Sequence, residues 1–189
     1  MFSVSLVMSL NWTFLTVLEI IMLPYGYASN DASYFGFSNN IIGIFGGITA
    51  SLILRKWPIY RKMTISIIVG SLITYFLWFV IITQERPAEG YKYALALMLI
   101  NGFITIPVQT YSLEYCCELA PEYDEAVSGG FQLGIANILG FAQITYMQWI
   151  SEDDVKHPRG TMRHCIWITI GFLVLSLGLI LGISSKKGV

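Results

Sequence analysis

The chain has 189 residues, of which 55% are hydrophobic and 12% charged, with a net charge of −1 and a mean hydropathy of +0.64. That balance excludes an ordinary soluble domain of this length. It also lacks the basic surplus that would point to a nucleic-acid partner, so the expected partners are the lipid bilayer and a small-molecule substrate.

Apolar runs fall at about 4–24, 37–54, 62–83, 93–113, 128–149 and 165–184. Each is close to the roughly 17–25 residues that cross about 30 Å of hydrocarbon. The expected fold class is therefore all-α membrane, with residues 1–189 forming one bundle of six transmembrane helices and no soluble domain.

No Lys or Arg precedes the first run, and no polar segment with a small-residue cleavage site follows it, so it reads as a helix and not a signal peptide. It carries Glu19 inside an otherwise apolar stretch, Val4 to Pro24. A carboxylate at membrane depth costs roughly 2.5–3.5 kcal/mol on insertion scales, which points to a partner or a function. Spacings of four and seven put Thr16 and Glu19 on the helical face of Trp12. A stripe with an aromatic ring, a hydroxyl and a negative charge is suited to handling a cation. The other reading places Glu19 at the outer end of the helix, reaching interfacial water. Asn11-Trp12-Thr13 matches the glycosylation pattern but lies within the span, out of reach of the transferase.

The second run brings Asn39, Asn40 and Gly43-x3-Gly47, and is followed by Arg55, Lys56, Arg61 and Lys62 with no acid. The fourth carries Asn101 and Gln109, and then the acids Glu114, Glu118, Glu122, Asp124 and Glu125. The fifth has Gly130-x3-Gly134, Ala136-x3-Gly140, Gln132, Asn137 and Gln143. Small residues mark close helix contacts in lipid, and large amides concentrate on the same segments. The third and sixth runs have only Ser, Thr or Tyr as polar residues within the membrane, which can bond their own backbone. Runs one, two, four and five are thus expected to line the interior, with three and six as lipid-facing scaffold. Asn137 shares the Gly130 and Gly134 face. It either hydrogen-bonds a substrate or joins helices, a role worth about 0.6 kcal/mol. Asn101 has the same two readings, nearer one end of its span.

Six spans put both ends on one side of the membrane. Arg55, Lys56, Arg61, Lys62, Lys186 and Lys187 lie on that side. Arg86, Lys92, Lys156, Arg159 and Arg163 lie on the other, interleaved with acids. The cluster after the second run favours cytoplasmic termini. Arg55 and Lys56 are then on the same side as Glu114 and Glu118, and the four form a candidate cytoplasmic gate that breaks as the protein changes state. The alternative is a set of solvated loops, where such pairs contribute about 0–1 kcal/mol. Cys116, Cys117 and Cys165 have no ligand spacing, and His157 and His164 have no paired nucleophile. No metal, cofactor or catalytic residue is expected.

Six helices with peripheral third and sixth members resemble half of a major facilitator superfamily transporter, in which two six-helix halves hold substrate between them. Glu114-x3-Glu118-Leu119, Pro121-Glu122 and Ser128-Gly129, leading to Asn137 and Gly140, further resemble the feline leukaemia virus subgroup C receptor-related family between its tenth and eleventh helices. Leu23-Pro24-Tyr25 is similar to the end of that family's seventh helix. The resemblance spans nearly the whole chain but only the C-terminal half of the family. It implies a plasma-membrane transporter of small organic solutes, choline or ethanolamine first and haem second. It also implies that Trp12 is an aromatic member of the substrate cage and that Asn137 stands at a glutamine position. Arg55 stands near a place where the superfamily has an acid, and Glu19 where the family has an amide. On this resemblance the chain needs a partner, the missing N-terminal half or a second copy of itself. The alternatives are a half-size homodimeric transporter and a non-transporting protein that binds a full-length relative.

Overall fold

The computed structural model describes residues 2–57, 59–84, 87–119, 124–153 and 158–182. Seven helices make up nearly all of them: α1 Phe2–Met22, α2 Ser29–Lys56, α3 Tyr60–Gln84, α4 Pro87–Thr105, α5 Pro107–Leu119, α6 Glu125–Asp153 and α7 Pro158–Gly182. A 3-10 turn, Leu23–Tyr25, extends α1. Together they provide six stretches long and apolar enough to cross a membrane, so the chain is an all-α bundle with the make-up of a multi-pass membrane protein.

The fourth span is broken. Pro107 has no N–H to give the Phe103 carbonyl one turn back, so α4 stops at Thr105 and α5 starts on the proline, where its fixed φ suits a first turn. The Ile106 N–H still reaches the Gly102 carbonyl at 3.2 Å, and the Gln109 N–H reaches Ile106 at 2.9 Å, so the two helices remain nearly continuous. The α2 helix starts before its apolar run because Asp31, in the first turn, accepts the Ala28 N–H at 2.9 Å.

The α1 helix is the hub. Its most apolar window is 67% buried, against 33% for the corresponding windows of α2, α6 and α7. It packs chiefly on α6 and α7, while α2 packs on α4 and α5, and α3 on α4 and α7. Exchanging the first three spans with the last three maps these pairs onto each other: span one on five matches span four on two, and one on six matches four on three. Three spans per unit make the two units inverted with respect to one another.

The expected division into lining and scaffold needs correction. The α3 helix buries Ile68, Tyr75, Trp78 and Ile82, with Phe14 of α1 edge-on to Tyr75 and Trp78 at 4.6 and 5.0 Å. It is a core helix with one apolar outer face, Val69, Ile73, Phe76 and Leu77. Small residues also divide. On α2, Gly46 lies against the Phe103 carbonyl and Gly102 of α4 against the Asn39 carbonyl, and a Cβ at either would collide with backbone. Ala136 and Gly140 of α6 face α1, with Gly140 near Ser9 and Thr13. Gly130 and Gly134, by contrast, are exposed and have no atom within reach of a Cβ.

Candidate functional site

Two faces of α1 carry different chemistry. The inward face is a ladder of small polar groups tied to other helices. Ser3 Oγ donates to the Ser176 carbonyl at 2.8 Å, and Ser176 Oγ donates back to the Ser3 carbonyl at 2.9 Å. Ser5 Oγ donates to the Gln132 carbonyl at 3.2 Å, and Thr13 Oγ1 to Gln143 Oε1 at 3.1 Å. Gln143 Nε2 returns to Ser9 Oγ at 3.4 Å. Gln132 accepts the Cys116 thiol and gives its amide to Met8 sulfur at 3.4 Å. Each bond satisfies a group that lipid would leave bare.

The outward face holds Trp12, Thr16 and Glu19. Trp12 is half-buried and packs against an apolar cluster that includes Val4, Val7 and Met8 of α1, Val108 of α5 and Ala136 of α6. Thr16 and Glu19 are exposed. Thr16 Oγ1 donates to the Trp12 carbonyl at 2.8 Å, which uses its proton and leaves its lone pairs outward. Among the described residues Glu19 forms no ion pair. Asn137 is also exposed, on α6, and gives one N–H to the Leu133 carbonyl at 2.9 Å. Asn40 on α2 and Thr110 on α5 are exposed polar residues of the neighbouring helices. Thr110 borders a shallow groove between α2 and α5, along Gly43, Gly47 and Ser51. Four helices thus carry exposed polar groups within stretches long and apolar enough to cross a membrane.

Asn101 does not join them. It is 2% exposed, and its Oδ1 accepts from Thr74 Oγ1 at 2.9 Å. Its backbone carbonyl takes the Thr105 hydroxyl at 2.8 Å. It belongs to a buried junction of α1, α3 and α4. Asn11, not singled out from the sequence, is buried in the same junction, where its Oδ1 lies 3.5 Å from both the Tyr75 hydroxyl and Thr105 Oγ1.

The candidate gate is also rearranged. Arg55 and Lys56 are exposed at the end of α2, with Lys56 Nζ 4.7 Å above the Trp57 ring. Glu114 is exposed on α5 and accepts a hydrogen bond from Tyr60 Oη at 3.3 Å. Among the described residues no ion pair links the two groups. The link between this end of α3 and α5 is aromatic: Tyr60 stacks on Tyr115 at 5.7 Å and 17° and leans on Tyr111 at 6.3 Å. The Glu118 and Cys117 side chains lie outside what is described, as do Arg86, Glu122, Asp154, Lys156, His157, Lys186 and Lys187.

Neither a comparison with protein-family models nor one with curated proteins finds a match for this chain.

Proposed function

We propose that the protein carries a small organic solute across a membrane, working as one six-helix wall of a major-facilitator-type transporter. The observation that supports this reading is the set of polar side chains exposed at membrane depth, Thr16, Glu19, Asn40, Thr110 and Asn137 beside half-buried Trp12. Own-helix backbone bonds meet the Thr16 hydroxyl and one N–H each of Asn40 and Asn137, but lipid cannot satisfy the Glu19 carboxylate or the rest of the two amides, which favours water in a pathway or a second protein wall. The exchangeable three-span units, packed about α1 and the broken fourth span, favour the same architecture.

The solute class that suits the stripe is a choline- or ethanolamine-like cation, with haem the second choice within the resembling family. The Trp12 ring offers a π face, worth about 2 kcal/mol to a desolvated quaternary ammonium, and Glu19 lies two turns further out, where it draws a cation in. In proteoliposomes, Trp12→Ala is expected to weaken apparent choline affinity about 30-fold, the equivalent of that 2 kcal/mol. Trp149→Ala, on an exposed residue near the far end of α6, leaves it unchanged. Equal effects of the two substitutions would remove Trp12 from the site.

A further inference from the structure

Arg55, Lys56, Arg61 and Lys62 flank the turn between α2 and α3, with no acid between them. They divide among three directions. Arg61 is half-buried and donates to the Ile180 carbonyl of α7 at 3.4 Å. Arg55 follows Ser51 by one turn, on the face of α2 whose groove runs toward α5. Lys56 and Lys62 are both exposed and stand at the end of a different groove.

That groove, of about 240 Å³, lies where α2, α3 and α4 meet. Its buried residues include Gly46 and Ala50 of α2 and Ile67 of α3, and its exposed rims carry Thr49 and Ile53 on α2 and Ser66 on α3. Thr49 Oγ1 donates to the Phe45 carbonyl at 2.8 Å, so its proton is already used. An apolar recess within a membrane span is out of reach of water, and if empty it forfeits the dispersion contacts of its lining. From Gly46 to Ile53 it runs about 10 Å along α2, two thirds of the roughly 15 Å that one leaflet contributes to the hydrocarbon core.

Helical spacing connects this recess to the two lysines. Lys56 stands three residues past Ile53, and Lys62 one turn before Ser66, so each rim ends in a cation. Lys56 Nζ also lies 4.7 Å from the centre of the exposed Trp57 ring, an aromatic residue of the kind found at the boundary between membrane and water. An apolar slot that opens between two lysines beside a tryptophan fits a hydrocarbon chain that ends in an anion. A zwitterionic headgroup brings a cation that the lysines repel, and a free anion makes no use of the slot.

We infer that the groove binds one acyl chain of an anionic phospholipid, with the lipid phosphate held between Lys56 and Lys62. Arg55 and Arg61 add to the attraction from further off. Pro107 also lines the groove, so the bound chain rests on the break of the fourth span as well as on the crossing of α2 with α3. The site lies on a different face of α2 from the groove toward α5 and does not depend on what the protein carries.

Native mass spectrometry of the full chain in a non-ionic detergent, titrated with phosphatidylglycerol or with phosphatidylcholine of the same acyl chains, tests this. One phosphatidylglycerol is expected to bind at least about tenfold more tightly than phosphatidylcholine, as two cations near the membrane surface imply. The double change Lys56→Gln, Lys62→Gln should reduce it to the phosphatidylcholine value, while Lys92→Gln, on an exposed residue near the start of α4, leaves it unchanged. Thr49→Phe, on the exposed rim, fills the groove and should weaken phosphatidylglycerol binding several-fold. Equal affinities of the two lipids for the wild-type chain overturn the inference, and this comparison needs no variant to fold. A Thr49→Phe chain that binds phosphatidylglycerol as before also overturns it, by reducing the lysines to a general surface attraction. So does one that loses the mass of a dimer instead of a lipid, which would give the groove to a second copy.

Discussion

Tyr60 occupies the place where opposite charges were expected to hold two loops together. Its hydroxyl reaches Glu114, and its ring stacks on Tyr115. A stacked pair contributes about 0.5–1.5 kcal/mol beyond its burial, more than an exposed ion pair. Tyr60→Ala is therefore expected to lower stability by about 2 kcal/mol in thermal unfolding of the purified protein. The double change Arg55→Gln, Lys56→Gln stays within about 0.5 kcal/mol. The reverse order would restore an ionic latch. Glu19 acts differently, through distance. An exposed carboxylate attracts a cation over about 8–10 Å at ordinary salt, so Glu19→Gln should slow uptake several-fold at low ionic strength and hardly at all at high salt. An effect that does not change with salt would mean that Glu19 touches the solute. That Trp12, Thr16 and Glu19 share one face of α1 was legible from their spacing. The burial of Asn101 was not, because burial depends on which neighbour covers a residue, and its partner Thr74 comes from another helix.

The six spans were legible as elements because a stretch that crosses lipid must be apolar from end to end. Their ends were less so. The α2 helix begins at Ser29, eight residues ahead of its apolar run, since capping by Asp31 uses polar residues that hydropathy reads as loop. The fourth run hid a break, because Pro107 is itself apolar and leaves hydropathy unchanged. Small-residue motifs were legible as motifs but not as contacts. Gly43-x3-Gly47 lies in a close crossing, with Gly47 2.9 Å in Cβ terms from Thr110 Oγ1, while a Cβ at Gly130 or Gly134 would meet no atom of the described residues. Substitution should separate them. Gly102→Ala and Gly46→Ala force backbone apart and are expected to cost about 1–3 kcal/mol or more. Gly130→Ala and Gly134→Ala gain up to about 1 kcal/mol of helix propensity in the isolated chain. If all four lower the unfolding midpoint alike, the α6 glycines are in contact with another helix.

At the scale of the molecule, the two three-span units pack as counterparts, yet polar groups on α1, α2, α5 and α6 remain uncovered. A second wall is therefore expected. Native mass spectrometry from mild detergent should give twice the 21.2 kDa of the chain if a copy supplies that wall, and the dimer should bind choline. A monomer that binds choline only when a separate six-helix half is co-expressed would assign the wall to that half. The hub position of α1 also sets an order in time. Its Ser5 and Thr13 side chains bond residues 127 and 130 positions later, and its Ser3 bonds are with a residue 173 later. At roughly 5–20 residues per second of synthesis, the first of these partners emerges about 6–25 s after α1 has been made. For that interval a helix with Ser3, Ser5, Ser9, Asn11 and Thr13 on its inner face has none of its α6 and α7 partners. Early membrane insertion of α1 thus depends on a temporary host for those groups, and a chain halted before α6 would leave its hub unpaired.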